Sequence, residues 1–88
     1  MVLLDLLGRR WTLRVLWELR DGPATFRELR ARCDALSPSV LSARLRELRE
    51  AGLVAHAEGE GYGLTARGSE LGEQLVALSA WAERWAAD

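Results

Sequence analysis

Apolar residues recur at helical spacing in several stretches of the chain. Near its start, apolar side chains at positions 11, 13, 15, 16, 17 and 19 predict a helix from about Arg9 to Arg20. The apolar stretch VLLDLL comes just before and could extend this helix toward the first residue. The helix should end at Asp21-Gly22-Pro23, because glycine accepts a left-handed cap and proline cannot continue a helix.

Two further helices are marked by capping signals. Thr25 and Glu28 have the spacing of a capping box, in which each side chain accepts a hydrogen bond from the other residue's backbone N–H. The second helix should therefore span about Phe26 to Cys33. Ser37, with a proline directly after it, predicts an N-cap and a third helix over about residues 37–50.

The third helix has two unlike faces. Leu41, Leu45 and Leu48 fall within about 60° of one another on a helical wheel and should point toward the core. A helix face that only meets water usually carries pairs of long, oppositely charged side chains. Here the outer face is small near its start: Ser39, Ala43, Arg46 and Glu50 lie at its centre, Arg44 on one flank, and Ser42 and Arg49 on the other.

Such a face suits a helix that enters the major groove of DNA. Small residues permit close approach, hydroxyl groups can bond base edges or phosphates, and flanking arginines can bind the sugar-phosphate backbone. The plain alternative is a short surface helix that happens to contain serine and alanine. Taken alone, the helix leaves both interpretations open.

After Gly52 the pattern changes from helical to alternating. LVAHAE and YGLT predict two short strands joined through Gly59-Glu60-Gly61, a glycine-rich hairpin signal. From Ala66 onward the helical spacing returns, with steps of 4, 3, 4 and 3 between Leu71, Leu75, Leu78, Ala82 and Trp85. The predicted order is helix, helix, helix, hairpin, helix.

This order is that of a winged helix-turn-helix domain. We expect a mainly α fold with a three-helix core, a small β-hairpin as a two-stranded wing, and a C-terminal dimerisation helix over residues 66–88. A chain of 88 residues permits one compact domain, residues 1–88.

Charge is divided unevenly between the two halves of the chain. Residues 1–50 hold ten arginines and seven acidic residues, whereas residues 51–88 hold two arginines and six acidic residues. The net charge of the whole chain is only -1 and does not indicate a nucleic-acid partner. The basic front half does, because one face of the domain could meet a polyanion.

Nearly the whole chain resembles the HxlR-type transcriptional regulators, relatives of the MarR group. The matching stretch is LLGRRWTLRVLWELRDGPATFRELRARCDALSPSVLSARLRELREAGLV, with Ser37-Pro38, Arg44-Leu45-Arg46-Glu47-Leu48 and Gly52-Leu53-Val54 as its most specific pieces. Tyr62-Gly63-Leu64-Thr65-Ala66-Arg67-Gly68 resembles the family's strand and turn into the last helix. The resemblance implies a cytoplasmic homodimer that binds DNA and regulates transcription, with its first and last helices at the dimer interface.

The helical wheel and the resemblance together define candidate site residues. We expect the partner to be double-stranded DNA with a pseudo-palindromic operator, one half for each subunit of the homodimer. The candidate DNA-binding residues are Ser37, Ser39, Ser42, Ala43, Arg44, Arg46 and Arg49. The candidate dimer-interface residues are Trp11, Leu75, Leu78, Trp81 and Trp85.

The four tryptophans leave two roles open. Trp11 and Trp17 fall on the predicted first helix, and Trp81 and Trp85 lie one turn apart on the last, so all four could meet at a dimer interface. Alternatively, these aromatic residues could line a small-molecule pocket between subunits, as the related PadR-type and MarR-type regulators suggest by analogy. The sequence does not identify such an effector.

The chain also departs from the family's pattern. Members typically carry a cysteine ahead of the first helix, whereas the single cysteine here is Cys33, so the redox mechanism of some members is not carried over. The wing is short, and Glu58-Gly59-Glu60-Gly61 would repel phosphate. A winged-helix module that associates with another protein is therefore the alternative function.

Other kinds of site find little support. His56 is the only histidine and has no nucleophile near it in sequence, so we expect a structural role for it and no enzyme activity. A metal site needs three or four convergent ligands, which one histidine and one cysteine do not suggest. GEGYG lacks the lysine of a nucleotide loop, so no metal or cofactor is expected. The apolar runs are too short to cross a membrane and the start lacks a basic leader, so we expect a cytoplasmic protein without membrane contact.

Overall fold

Over residues 2–57 and 59–88, which the computed structural model describes, the chain forms five helices and one antiparallel hairpin. This mainly helical fold with a two-stranded hairpin confirms the predicted fold class. The elements are α1 (Val2–Leu7), α2 (Thr12–Glu18), α3 (Phe26–Arg32), α4 (Pro38–Glu50), β1 (Val54–Ala57), β2 (Gly61–Leu64) and α5 (Ala66–Ala87).

The predicted first helix is shorter than expected, since α2 runs only from Thr12 to Glu18, and the possible extension through VLLDLL is wrong, because that stretch forms the separate helix α1. Trp11 has a φ of 77°, in the left-handed region, so the right-handed helix cannot pass through it. The chain between α1 and α2 is held instead by turn bonds, in which the N–H of Arg9 donates to the carbonyl of Leu6 at 3.2 Å and that of Thr12 donates to Arg9 at 3.2 Å. Apolar residues on both sides of Trp11 keep helical spacing, so the hydrophobic pattern of the sequence does not reveal the break between α1 and α2.

The capping box before α3 is confirmed. The backbone N–H of Glu28 donates to the hydroxyl of Thr25 at 3.1 Å, and that of Thr25 donates to the carboxylate of Glu28 at 3.0 Å. These hydrogen bonds lower the pKa of Glu28, since they favour its charged form. At α4 the predicted boundary is right but the cap is wrong: the hydroxyl of Ser37 lies 3.0 Å from that of Ser39 and accepts no bond from the helix backbone.

Leucines of α2, α3 and α4 form the centre of the core. The stripe predicted for α4 is buried, with at most 2% of each leucine exposed. Two residues at the start of the hairpin, Leu53 and Val54, help to complete the cluster. Its buried members are Val15, Leu16, Leu19, Ala24, Leu29, Cys33, Leu36, Leu41, Leu45, Leu48, Leu53 and Val54.

The hairpin is held to the helical body by a short backbone pairing between Ala24 and Tyr62. The N–H of Ala24 donates to the carbonyl of Tyr62 at 2.9 Å, and the N–H of Tyr62 donates to the carbonyl of Ala24 at 2.8 Å. Gly61 has a φ of +87°, and a Cβ at this position would collide with the carbonyl of Ala24. A side chain at position 61 would therefore separate the hairpin from the chain segment before α3.

Only the first half of α5 packs closely on the domain. Its fully buried residues are Gly68 and Gly72, and a Cβ on Gly68 would collide with the carbonyl of Leu53. Thr65 caps the helix: its hydroxyl accepts from the N–H of Gly68 at 3.1 Å and donates to the carbonyl of Gly52 at 2.6 Å. Most residues of the second half of α5 are exposed.

Candidate nucleic-acid interface

A tight turn between α3 and α4 sets the position of α4. Asp34 and Ala35 both have left-handed φ values, 59° and 58°, which reverse the chain direction within a few residues. The N–H of Ala35 donates to the carbonyl of Arg30 at 2.9 Å, and Nε of Arg30 donates to the carbonyl of Leu36 at 2.7 Å. The two helices and this turn form a helix-turn-helix unit.

Arg14 on α2 binds the C-terminal end of α3 and the turn. Its guanidinium donates to Glu18 at 2.8 Å and to the carbonyl of Arg32 at 2.5 Å, and it lies 3.6 Å from the carboxylate of Asp34. The hydrogen bond to Glu18 is the main reason that the pKa of Arg14 is raised. The charge of Arg14 is engaged by these contacts within the domain. Arg14 therefore helps to hold the turn that positions α4.

The outward face of α4 carries the predicted DNA-binding residues. Five of the seven are exposed, namely Ser37, Ser39, Ser42, Arg46 and Arg49, whereas Ala43 and Arg44 are half-buried. Since the leucines on the inward face are buried, the helix is held to the core while serine hydroxyls and two guanidinium groups remain accessible. The structure thus brings the predicted residues together along one helix.

Arg44 differs from the other two arginines of this face. Its Nε lies 3.0 Å from the carboxylate of Glu47, and a second guanidinium, that of Arg9, donates to the same carboxylate at 2.7 Å. Only 19% of the Arg44 side chain and 17% of the Glu47 side chain are exposed. The positive charge of Arg44 is thus partly balanced, whereas Arg46 and Arg49 form no ion pair within the described residues.

The wing offers no lysine or arginine over its described residues. Its tip carries the exposed Glu60, and Glu58 lies outside the described residues. At the other end of the wing, a groove lies between α4 and β1. It is lined by Arg46, Arg49, Glu50, Val54, Ala55 and His56.

His56 is the residue of this region that the sequence did not mark as functional. Its side chain is exposed, and its ring stacks on that of Tyr62, with centroids 4.2 Å apart and planes 7° from parallel. The two residues are paired in the hairpin register. The alternation of strand residues could have paired them, but nothing local in the sequence places His56 beside the arginines of α4.

The predicted dimer-interface residues fall into two groups. Trp11 and Leu75 are half-buried and pack against the core, whereas Leu78, Trp81 and Trp85 are 56%, 51% and 67% exposed. The rings of Trp81 and Trp85 stack with centroids 6.1 Å apart. An exposed apolar stripe (Leu78, Trp81 and Trp85) therefore runs along the second half of α5.

Trp17 on α2 is half-buried and shares a groove with one residue of the exposed apolar stripe, Leu78. The guanidinium of Arg20 lies 3.9 Å from the centroid of its ring. The indole also lines an open, mostly apolar groove between α2 and α5, with Leu13, Arg14, Leu75, Leu78, Ser79 and Ala82. Within one subunit Trp81 and Trp85 stack on each other, whereas Trp11 and Trp17 have other neighbours.

Other candidate chemistry is limited over the described part of the chain. Cys33 is completely buried, and burial raises the pKa of its thiol, which keeps the sulfur protonated and unreactive. Across residues 2–57 and 59–88, no three side chains of His, Cys, Asp or Glu are grouped so that they could hold a metal ion. No helix in the described ranges combines the length and apolar character needed to cross a membrane.

A helix-turn-helix whose second helix presents a polar face, followed by a hairpin and a long last helix, defines the winged helix-turn-helix class. A family model described as HxlR-like helix-turn-helix matches residues 6–88. The chain belongs to this family, as its resemblance predicted.

Named relatives and solved structures agree with this assignment. The chain is 34% identical to the HTH-type transcriptional regulator YvaP of Bacillus subtilis (strain 168), over 92% of this chain and 81% of that protein. It is 32% identical to quinone-bound YodB from B. subtilis, with a TM-score of 0.82 over 91% of this chain and 90% of that one.

A more distant structure matches equally well in shape. A possible HxlR family transcriptional factor from Thermoplasma volcanium GSS1 has a TM-score of 0.84 at 27% identity, over 97% of this chain and 82% of that one. The protein is a transcriptional regulator of the HxlR/MarR winged-helix type, and these named relatives are transcriptional regulators and not enzymes.

Proposed function

We propose that the protein is a cytoplasmic homodimer that binds a pseudo-palindromic operator in duplex DNA, with α4 of each subunit in the major groove. The observation that carries this proposal is the division of α4 into a buried leucine face and an outward face of serines and unpaired arginines. A helix of this kind can approach base edges closely while its other side stays fixed to the core.

The residues of the outward face have distinct proposed roles. Ser39 and Ala43 face the floor of the groove, where small side chains allow α4 to come close to the bases. Ser37 and Ser42 lie nearer the sides, where hydroxyl groups reach phosphates or base edges. The three arginines, Arg44, Arg46 and Arg49, bind the backbone, and the ion pair of Arg44 with Glu47 makes it the weakest of the three.

The homodimer is proposed to form through α5, the C-terminal dimerisation helix of the single domain. Contiguous apolar surface that is exposed on a small domain is typical of an interaction site. The exposed apolar stripe of α5 supplies such a surface, and Val2 and Leu4 of α1 are also exposed, at 89% and 60%. Leu75 and Trp11 would contribute from the edge of the core, where each is half-buried.

A small-molecule effector is a second candidate feature, supported by the groove beside Trp17. Its lining is mostly apolar, and the guanidinium of Arg14 is its charged member. YodB, a relative at 30% sequence identity, has been solved with a quinone bound. A planar, largely apolar molecule that binds this groove would touch both α2, which supports α4, and the proposed dimerisation helix.

The test of DNA binding begins with selection of duplexes that the wild-type protein retains from a random library. Ala43→Glu should then abolish binding to the selected duplex, because a carboxylate on the groove-facing side of α4 opposes both close approach and the phosphate charge. Ser69→Glu is the matched control, since it adds the same charge at an exposed position of α5. Thermal unfolding of both variants checks that the fold is intact.

Two results would contradict the proposal. A folded, dimeric Ala43→Glu protein that binds the selected duplex like the wild type would remove α4 from the interface. A wild-type protein that retains no duplex at low salt would favour the alternative function, a winged-helix module that associates with another protein.

A further inference from the structure

We infer that the root of the wing, and not its tip, contacts the DNA backbone, and that His56 is the wing's phosphate-binding residue. This inference rests on the proposed function and adds a contact to it. The groove between α4 and β1 brings His56 beside Arg46 and Arg49, which are exposed and form no ion pair within the described residues. One phosphate group could meet cationic side chains from both the helix and the wing there.

The stacking of His56 on Tyr62 prepares the histidine for this contact. One face of the imidazole lies against the phenol ring at 4.2 Å, so the ring plane is set before DNA arrives. The side chain remains exposed, which leaves its polar edge available. A side chain that is already ordered loses less conformational entropy on binding than a free one.

The charges around His56 decide when it can bind phosphate. From α4 it faces two arginines and Glu50 across the groove, from β2 it faces Tyr62, and Glu60 lies in the turn beyond. A neutral imidazole adds no charge, whereas a protonated one turns the wall formed by β1 cationic. Since protonation of the imidazole adds a positive charge at this wall, DNA affinity should rise as pH falls from about 8 to about 6.

The chain offers a clean test, because it holds one histidine and no lysine. Affinity for the duplex selected by the wild type is measured at about pH 6 and about pH 8. We expect wild-type binding to be about twofold to tenfold tighter at the lower pH, as for exposed charge contacts made by two subunits. The slope of log affinity against log salt should also be steeper there by up to about 1.8, which is one phosphate contact per subunit.

Three variants separate the contact from a structural effect. His56→Gln should bind like the wild type at high pH and lose the gain at low pH, whereas His56→Arg should bind tightly at both. Ala80→His in the wild-type background is the matched control, because it adds an imidazole at an exposed position of α5 that does not line this groove. It should leave affinity and salt dependence unchanged.

The outcomes also separate this inference from the proposed function. If His56→Gln keeps the wild-type pH dependence and salt slope while Ala43→Glu still abolishes binding, the wing root is not a contact, although α4 is. If His56→Gln unfolds, His56→Arg decides: pH-independent, tight binding supports the contact, and wild-type pH dependence refutes it. If the wild type binds no duplex at either pH, both proposals fail together.

Discussion

The helices α4 and α5 both carry a leucine stripe at helical spacing, yet they use it in opposite ways. In α4 the stripe is completely buried within the subunit, and the outward face is polar. In α5 glycines make the closest contacts with the domain, and each residue of the exposed apolar stripe, Leu78, Trp81 and Trp85, is more than half exposed. Periodicity alone therefore does not tell whether a stripe serves the core or an interface.

The two helices differ in what their apolar stripes contact. Leucines of α4 meet α2 and α3, whose own leucines complete a closed core. Beyond Leu75 only Ser79 and Ala82 of α5 are half-buried, so most of the apolar residues there meet water within one subunit. A polar face on a fixed helix suits a polyanion, and an apolar face on an extended helix suits a second apolar surface.

The largest effect should come from charges on the exposed apolar stripe of α5. Leu78→Glu combined with Trp85→Glu should give a folded monomer, because neither residue belongs to the core. Affinity for the selected duplex should fall by about 10² to 10⁴, since binding of two half-sites by one dimer is lost. Analytical ultracentrifugation measures the assembly, and titration of labelled duplex measures the affinity.

Ala80→Glu is the control for that experiment. It places one carboxylate on an exposed part of α5 that lies on the other side of the helix from Leu78. A control protein that also becomes monomeric, or a double variant that stays dimeric, would show that the stripe is not the interface. Changing Leu75 with Leu78 to Glu, or removing residues 71–88, is less selective, because Leu75 and Leu71 pack against the core.

The next effect concerns the stripe of α4 and should appear as loss of stability. Leu45→Ala removes a side chain that is 2% exposed and leaves a cavity, so the free energy of unfolding should fall by about 2 to 5 kcal/mol. Ser42→Ala on the exposed face of the same helix should change it by less than about 0.5 kcal/mol. Urea unfolding at equal protein concentration measures both, and equal effects would contradict the two-faced description of α4.

The smallest effect separates the arginines of α4. Arg46→Ala should lower the slope of log affinity against log salt by about 1.8, because two subunits each lose one phosphate contact. Arg44→Ala should lower the slope by less, since Glu47 already lies 3.0 Å from its guanidinium. The same salt titration measures both variants, and a larger change for Arg44→Ala would reverse their proposed importance.

The sequence predicted those parts of the fold that local chemistry determines. The capping box of Thr25 and Glu28 gave the start of α3, and the proline after Ser37 gave the start of α4. The break at Trp11 and the pairing of Ala24 with Tyr62 were missed. The first depends on a single left-handed residue between two apolar segments, and the second joins residues far apart in the chain, so neither has a local pattern.

In the candidate site, too, some features follow from local sequence and others depend on tertiary packing. A helical wheel was enough to place Ser39, Ser42, Arg46 and Arg49 on one exposed face. It could not show that Arg9, distant in sequence, shares the carboxylate of Glu47 with Arg44, or that His56 lies in one groove with the arginines of α4. Charge balance and groove geometry depend on tertiary packing, which spacing within one helix does not contain.

The stacked pair of Trp81 and Trp85 also makes the protein its own optical reporter. Both indoles are more than half exposed in one subunit, whereas Trp11 and Trp17 are half-buried. Indole emission moves to shorter wavelength when the ring leaves water, so pairing of subunits through α5 would change the intrinsic fluorescence mainly through these two residues. Assembly could then be followed by dilution alone, without a dye, a tag or any DNA.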